Sequence, residues 1–180
     1  GWACWKTYVG APETDSSVRF AAISVLGNGL DEAGHNEDAL SVKEAELATK
    51  RRLGESEFDI LATQSNLAKT YGRLGRLEEA SRLVRDVYSG YSKVLGEEHE
   101  VTLTTANNYA SSLNGLQRFE EAKALLRRTM PVARRAVGEG HRLTLKMRWS
   151  YAQTLYKDPS ATLDDLREAV TKLEDLTRTA

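Results

Sequence analysis

The stretch Asn107-Asn108-Tyr109-Ala110-Ser111-Ser112-Leu113-Asn114-Gly115-Leu116-Gln117-Arg118-Phe119-Glu120-Glu121-Ala122 reads as the end of one helix, a tight turn and the start of a second. Forty-two residues earlier the pattern recurs as Ser65-Asn66-Leu67-Ala68, then Tyr71, then Leu74-Gly75-Arg76-Leu77-Glu78-Glu79-Ala80. Forty-two residues later Ser150-Tyr151-Ala152 and Leu155 fall in register. The joints repeat too, as Leu53-Gly54-Glu55, Leu95-Gly96-Glu97-Glu98-His99 and Val137-Gly138-Glu139-Gly140-His141. Self-similarity at a fixed period predicts an all-α array of helix pairs. Such an array is a scaffold, so the expectation is a binding module.

Composition narrows the classes. Apolar residues make up 41% and charged residues 28% of the 180, an ordinary globular balance. With 25 basic against 26 acidic residues the net charge is -1, which predicts no general attraction to nucleic acid or an anionic membrane. The single cysteine, Cys4, excludes an internal disulfide framework and fits a reducing compartment. The uncharged run 20–30 is too short to span a bilayer. No basic-then-apolar leader opens the chain, so a soluble, cytoplasmic protein is expected. Gly1 in place of Met, and a helical pattern still running at Ala180, read as an excerpt from a longer array.

Along the chain, 2–9 looks like the tail of a truncated repeat, with Trp2, Trp5 and Tyr8 on one helical face. Asp15-Ser16-Ser17 offers N-caps for a helix over 18–33, closed by Gly34. Glu37-Asp38-Ala39 opens its partner, which is offset by 41 residues from the next repeat rather than 42. Ser56 and Asp59 have capping-box spacing for a helix to Leu74, where Gly75 permits the left-handed turn. A helix over 77–95 follows, with Ala80, Leu83, Val84, Val87, Tyr88 and Tyr91 as its apolar stripe. In the third repeat the stripe is Phe119, Ala122, Leu125, Leu126 and Met130, and Pro131 should bend the helix. The fourth begins near Arg142, has a longer turn over 157–161, and ends in a helix capped by Thr162 and Asp165. The implied units are 1–15, 16–56, 57–98, 99–140 and 141–180.

These marks resemble the tetratricopeptide repeat family, in the 42-residue variety of kinesin light chains. The resemblance rests on Asn66-Leu67-Ala68, Asn107-Asn108-Tyr109-Ala110, Tyr71 and Leu113, Glu78-Glu79-Ala80, Glu120-Glu121-Ala122 and the Leu-Gly-Glu-Glu-His joint. It implies a right-handed α-solenoid of antiparallel helix pairs, in which the first helix of each pair lines a concave groove for a peptide or protein partner. Carried over position by position, that groove comprises Asn28, Asp31 and Glu32; then Ser65, Asn66, Lys69 and Arg73. The third repeat adds Thr104, Asn107, Asn108, Ser111 and Asn114, and the fourth Lys146, Trp149, Gln153, Tyr156 and Lys157. Asn66 and Asn108 match the family's groove asparagine, whose amide can donate to and accept from a peptide backbone. Small residues at Ala68, Ala80, Ala110, Ala122 and Ala152 would let paired helices approach closely. Gly27 and Gly29 fall inside the first helix and should weaken it by roughly 1 kcal/mol each relative to Ala.

Signals for chemistry are weaker. His35, His99 and His141 lie in turns, and the equivalence of the last two points to a shared role in the joint. Gly27-Asn28-Gly29 lacks the third glycine of a dinucleotide fingerprint. Residues 31–44 fail the calcium-loop pattern, since Ala33 and His35 stand at ligand positions. No enzyme, cofactor or metal is therefore expected. Arg51, Lys93 and Arg135 recur in the last turn of the second helices, where a cation complements the helix dipole. The partner expected is a protein or peptide, not nucleic acid or membrane, with apolar terminal faces that could pair two copies as a homodimer. The competing expectations are an architectural spacer or self-association module of a larger signalling protein and, further off, an RNA-binding helical repeat.

Overall fold

A computed structural model describes residues 16–179, and among these the chain forms helices and turns without strands. In order they are α1 (Ser16–Glu32), α2 (Asn36–Leu53), α3 (Glu57–Arg73), α4 (Leu77–Leu95), α5 (Glu100–Gly115), α6 (Phe119–Val137), α7 (Arg142–Lys157) and α8 (Leu163–Thr179). The expected aromatic face of Trp2, Trp5 and Tyr8, Cys4 and the Asp15 cap lie outside the described residues. Helix α6 continues through Pro131, which sits on its exposed side.

Specific side chains fix the helix ends. The Ser56 hydroxyl accepts from the Asp59 backbone N–H at 3.1 Å. Thr162 and Asp165 cap reciprocally: the Asp165 N–H donates to the Thr162 hydroxyl at 3.1 Å and the Thr162 N–H donates to the carboxylate at 2.9 Å. The shared role of His99 and His141 is also a cap. Each Nδ1 accepts the N–H two residues on, Val101 at 3.2 Å and Leu143 at 3.3 Å. The turn after α3 has Gly75 at φ 74°. It is closed by Arg76 N–H to Tyr71 C=O at 2.9 Å and Gly75 N–H to Gly72 C=O at 3.1 Å, a Schellman pair. One repeat later the same two bonds form around Gln117, which adopts φ 59° without being glycine.

The chain divides into two compact units after Leu83, a point within α4. In the first, α1 packs on α2, α2 on α3, and α1 reaches α3. Its apolar core is small: Leu40, Leu47 and Leu67, with Ile60, Tyr71, Leu74 and Leu83 partly buried around them. Beside it lies a polar interior that the apolar stripes did not anticipate. Lys43, Glu46 and Lys50 of α2 are 1%, 3% and 8% exposed. Lys43 Nζ pairs with Asp31 and donates to Thr70 Oγ1 at 3.0 Å, while the Thr70 hydroxyl donates to Asp31 at 2.8 Å. Lys50 pairs with Glu46 at 2.8 Å and donates to Thr63 at 2.9 Å, and Ser24 of α1 donates to Glu46 at 2.6 Å. Isolated charges could not be buried this way; mutual pairing and hydroxyl bonds make it tolerable.

In the second unit α5, α6, α7 and α8 pack in sequence, and α5 also touches α7. The core is apolar: Leu103, Leu113, Leu126, Met147, Tyr151 and Leu155 are buried, with Ala106, Ala110, Ala122, Ala133 and Ala152 fully enclosed between them. Alanine at these crossings lets backbones approach, and the large residues fill the space on either side. Among the described residues of this unit two charges are buried, Lys123 and Asp158, and they pair with each other at 3.0 Å. Asp158 opens the long turn before α8 and accepts from the Ser160 N–H and hydroxyl at 2.9 and 2.7 Å. Those Ser160 bonds, then the Lys123 cation, lower the Asp158 carboxyl to about 2.

Candidate peptide-binding face

The first helices of the second unit's two pairs, α5 and α7, are in contact, and Asn114 Nδ2 on α5 donates to Thr154 Oγ1 on α7 at 2.7 Å. Their outward faces carry most of the expected groove residues of these two repeats. On α5, Thr104 and Asn108 are partly exposed and Ser111 is exposed, spaced four and then three apart along one face. On α7, Lys146 and Trp149 are exposed, Gln153 partly so, and Tyr156 and Lys157 exposed. Trp149 and Tyr156, seven residues apart, are 51% and 47% exposed. Met147, Tyr151 and Leu155 of the same helix are buried. Thus α7 divides its apolar residues between two faces, one spent on the core and one facing outward.

Two of the expected groove residues are misplaced. Asn107 is 1% exposed, and neither end of its amide has a protein hydrogen-bond partner. It stands about 100° around the helix from Asn108, and α5 buries a wide arc, including Thr102, Leu103, Thr105 and Ala106, against its neighbours. On a helix that buries so wide an arc, this step leaves Asn108 at the surface and puts Asn107 inside. In the first unit Asp31 is likewise buried, at 5%, as the partner of Lys43. Asn114 is only partly exposed, and its Nδ2 is engaged by Thr154.

The remaining first-unit residues stay at the surface. Asn28 on α1 is exposed, Asn66 on α3 is partly buried, and Lys69 is exposed. Arg73 is exposed too, but its guanidinium donates to the Asp31 carbonyl and pairs with Glu32 at 2.6 Å. It therefore clamps the C-terminal end of α1, where a cation meets the negative pole of the helix dipole.

Among the described residues no group of three or more His, Cys, Asp or Glu could hold a metal ion, and no helix is long and apolar enough to cross a membrane. What the surface offers is hydrogen-bonding amides and hydroxyls beside aromatic rings.

Comparison with known proteins agrees with this architecture. The tetratricopeptide repeat family matches residues 59–134. Comparison with curated proteins gave no significant match. Among solved structures, the nearly identical TPR-like repeats of a Podosopora anserina protein assigned as a kinesin light chain superpose with a TM-score of 0.82 at 21% identity, over 97% of this chain and 81% of that one. BtubC (BKLC) from P. vanneervenii superposes with a TM-score of 0.80 at 18% identity, over 99% of this chain and 71% of that one. The fold is thus the all-α solenoid of tetratricopeptide-like helix pairs.

Proposed function

Since residues 59–134 belong to the tetratricopeptide repeat family, we propose that the chain is a protein-interaction scaffold whose second unit binds an extended peptide segment across α5 and α7. The observation that carries this is the outward pair Trp149 and Tyr156 on a helix whose opposite face is already buried. Exposed Trp and Tyr combine a large apolar area with a polar tip, and they dominate binding energies at protein interfaces. Beside them, Asn108 and Gln153 can each donate to and accept from a peptide backbone, which holds an extended chain with little regard to its sequence. Lys146 and Lys157 favour acidic side chains near the aromatic pair, adding orientation more than affinity.

The most specific form of this function is cargo or adaptor binding of the kinesin-light-chain kind. It is supported by the family resemblance of the repeats. The test is a random-peptide display selection on the folded chain and on Asn108→Ala/Trp149→Ala. A motif enriched on the first and lost on the second supports the site. No enrichment on a folded, monomeric chain would leave an architectural spacer as the better description.

A further inference from the structure

Within each unit, consecutive first helices meet through the same positions. In the first unit Asp31, near the end of α1, accepts from the Thr70 hydroxyl of α3 at 2.8 Å. In the second, Asn114, near the end of α5, donates to Thr154 of α7 at 2.7 Å. Stepping through the repeats, Asp31 maps onto Gly72 and then Asn114, and Thr70 onto Ser112 and then Thr154, so the two bonds are one contact repeated. The first unit adds two more. Glu32 of α1 pairs with Arg73 of α3 at 2.6 Å, and Lys43 of α2 donates to the Asn66 carbonyl at 3.5 Å and to Thr70 at 3.0 Å.

Carried one pair further in each direction, these positions lie at the surface. On the outgoing side Tyr156 of α7 stands where Asp31 and Asn114 stand, and Lys157 where Glu32 stands. With the start of α8, Leu163, matched to that of α6, Phe119, Val170 stands where Leu126 and Lys43 stand. Asp31, Lys43 and Leu126 are buried, whereas Tyr156 and Val170 are 47% and 54% exposed. Trp149, exposed as well, takes the place of the buried Asn107. On the incoming side Gly29 of α1 stands where Thr70 and Thr154 stand, and Val25 where Asn66 and Ser150 stand. Thr70, Thr154 and Ser150 are buried; Val25 is 71% exposed, and a Cβ added at Gly29 meets nothing within 4 Å.

We propose that the chain assembles head to tail, α7 and α8 of one copy receiving α1 of the next as α5 and α6 receive α7. The positions brought together are complementary. The Tyr156 ring meets Gly29, which has no side chain to obstruct it, and Val170 meets Val25, so two exposed apolar patches cover each other. Lys157 meets Glu32, the Glu32 to Arg73 pairing with its signs exchanged between the two sides. Because the two faces differ, each added copy leaves one of each free and the contact propagates. The inference stands on the repeat positions and not on peptide binding, but it uses the same aromatic pair. Assembly therefore closes Trp149 and Tyr156 to a peptide on every copy except the last.

The test is sedimentation velocity of the whole chain over a range of concentrations. The parent chain is expected to sediment faster as concentration rises, passing beyond a dimer. Val25→Arg blocks the α1 face and Trp149→Glu the α7 face; both positions are exposed, and circular dichroism checks that each variant stays helical. Each variant alone should lose self-association. Their equimolar mixture should form a dimer and nothing larger, through the one intact face of each. Lys157→Glu should weaken assembly at low ionic strength, and Glu32→Lys in the same chain should restore it. A parent chain that stays monomeric at every concentration, or a mixture of the two variants that does, overturns the proposal. So does a single variant that still dimerises, since that marks a symmetric contact. Val25→Arg leaves α5 and α7 untouched, so it should keep peptide binding while losing assembly, and the two readings fail separately.

Discussion

A Cβ added to Gly27 would lie 3.1 Å from both Cγ and Cε of Lys43. The glycine is thus the space through which the buried lysine stem passes on its way to Asp31 and Thr70. Gly29, two residues on, has nothing within 4 Å of the same added atom. The two glycines look equivalent in the sequence and differ in consequence. We predict that Gly29→Ala raises stability by about 0.5–1 kcal/mol, the ordinary helix-propensity gain. Gly27→Ala should lose about 1 kcal/mol net, because overpacking against a lysine pinned at its tip outweighs that gain. Urea unfolding of both variants decides it; equal stabilisation by both would remove Lys43 from the explanation.

The Lys43 to Asp31 pair should behave as a buried ion pair. Lys43→Met leaves the Asp31 carboxylate enclosed without its cation and is expected to cost about 3–5 kcal/mol. Asp31→Asn added to Lys43→Met should recover a large part of that loss. A double variant no better than the single one would show that lost packing, not the stranded charge, sets the cost.

This polar interior shows where sequence reading stopped. The helix pairs, their turns and the capping boxes were legible because the period of 42 residues and the local cap chemistry both point to them. Lys43, Glu46 and Lys50 were not recognised as buried, since charged residues are assumed to face water. Yet a signal was present. At the 41-residue offset of the first repeat they align with Val84, Val87 and Tyr91 of the expected apolar stripe, and Val87 and Tyr91 are buried. Reading burial from the repeat register rather than from residue type would have found them. Asn107 failed for a related reason: matching the family's groove pattern gives no helical phase, and a 100° step separates it from Asn108. Trp149 and Tyr156 stand among the groove positions that the family resemblance implies, but that resemblance does not single them out as an exposed aromatic pair; only the structure shows both on the outward face of α7.

Gln117 occupies the left-handed turn position that Gly75 fills one repeat earlier. A side chain there costs roughly 1 kcal/mol relative to glycine. Gln117→Gly should therefore stabilise the chain by up to about that amount without altering the fold, visible as a higher melting temperature. A lower one would mean that the Gln117 side chain contributes more than its backbone costs.

Asp158 predicts an acid limb. Its carboxyl falls from an ordinary 3.8 to about 2 in the folded chain. A lowered carboxyl stabilises the fold above the unfolded value, and that contribution disappears as pH falls through the folded one. Melting temperature should accordingly drop more steeply between pH 3.8 and about 2 in the parent chain than in Asp158→Asn. Above this window the variant should be the less stable of the two, with the gap closing toward its lower end. Parallel pH profiles would show that Asp158 is not held by Ser160 and Lys123 in solution.

The central claim is that α5 and α7 of the second unit present a peptide-binding face. Its most direct test is to titrate a display-selected peptide into isotopically labelled chain and follow backbone amides together with the Trp149 indole N–H. The account predicts saturable shifts at Thr104, Asn108, Ser111, Lys146, Trp149 and Gln153, with α2 and the outward side of α6 unmoved. Saturable binding that shifts α6 or α8 and leaves the Trp149 indole in place would contradict it.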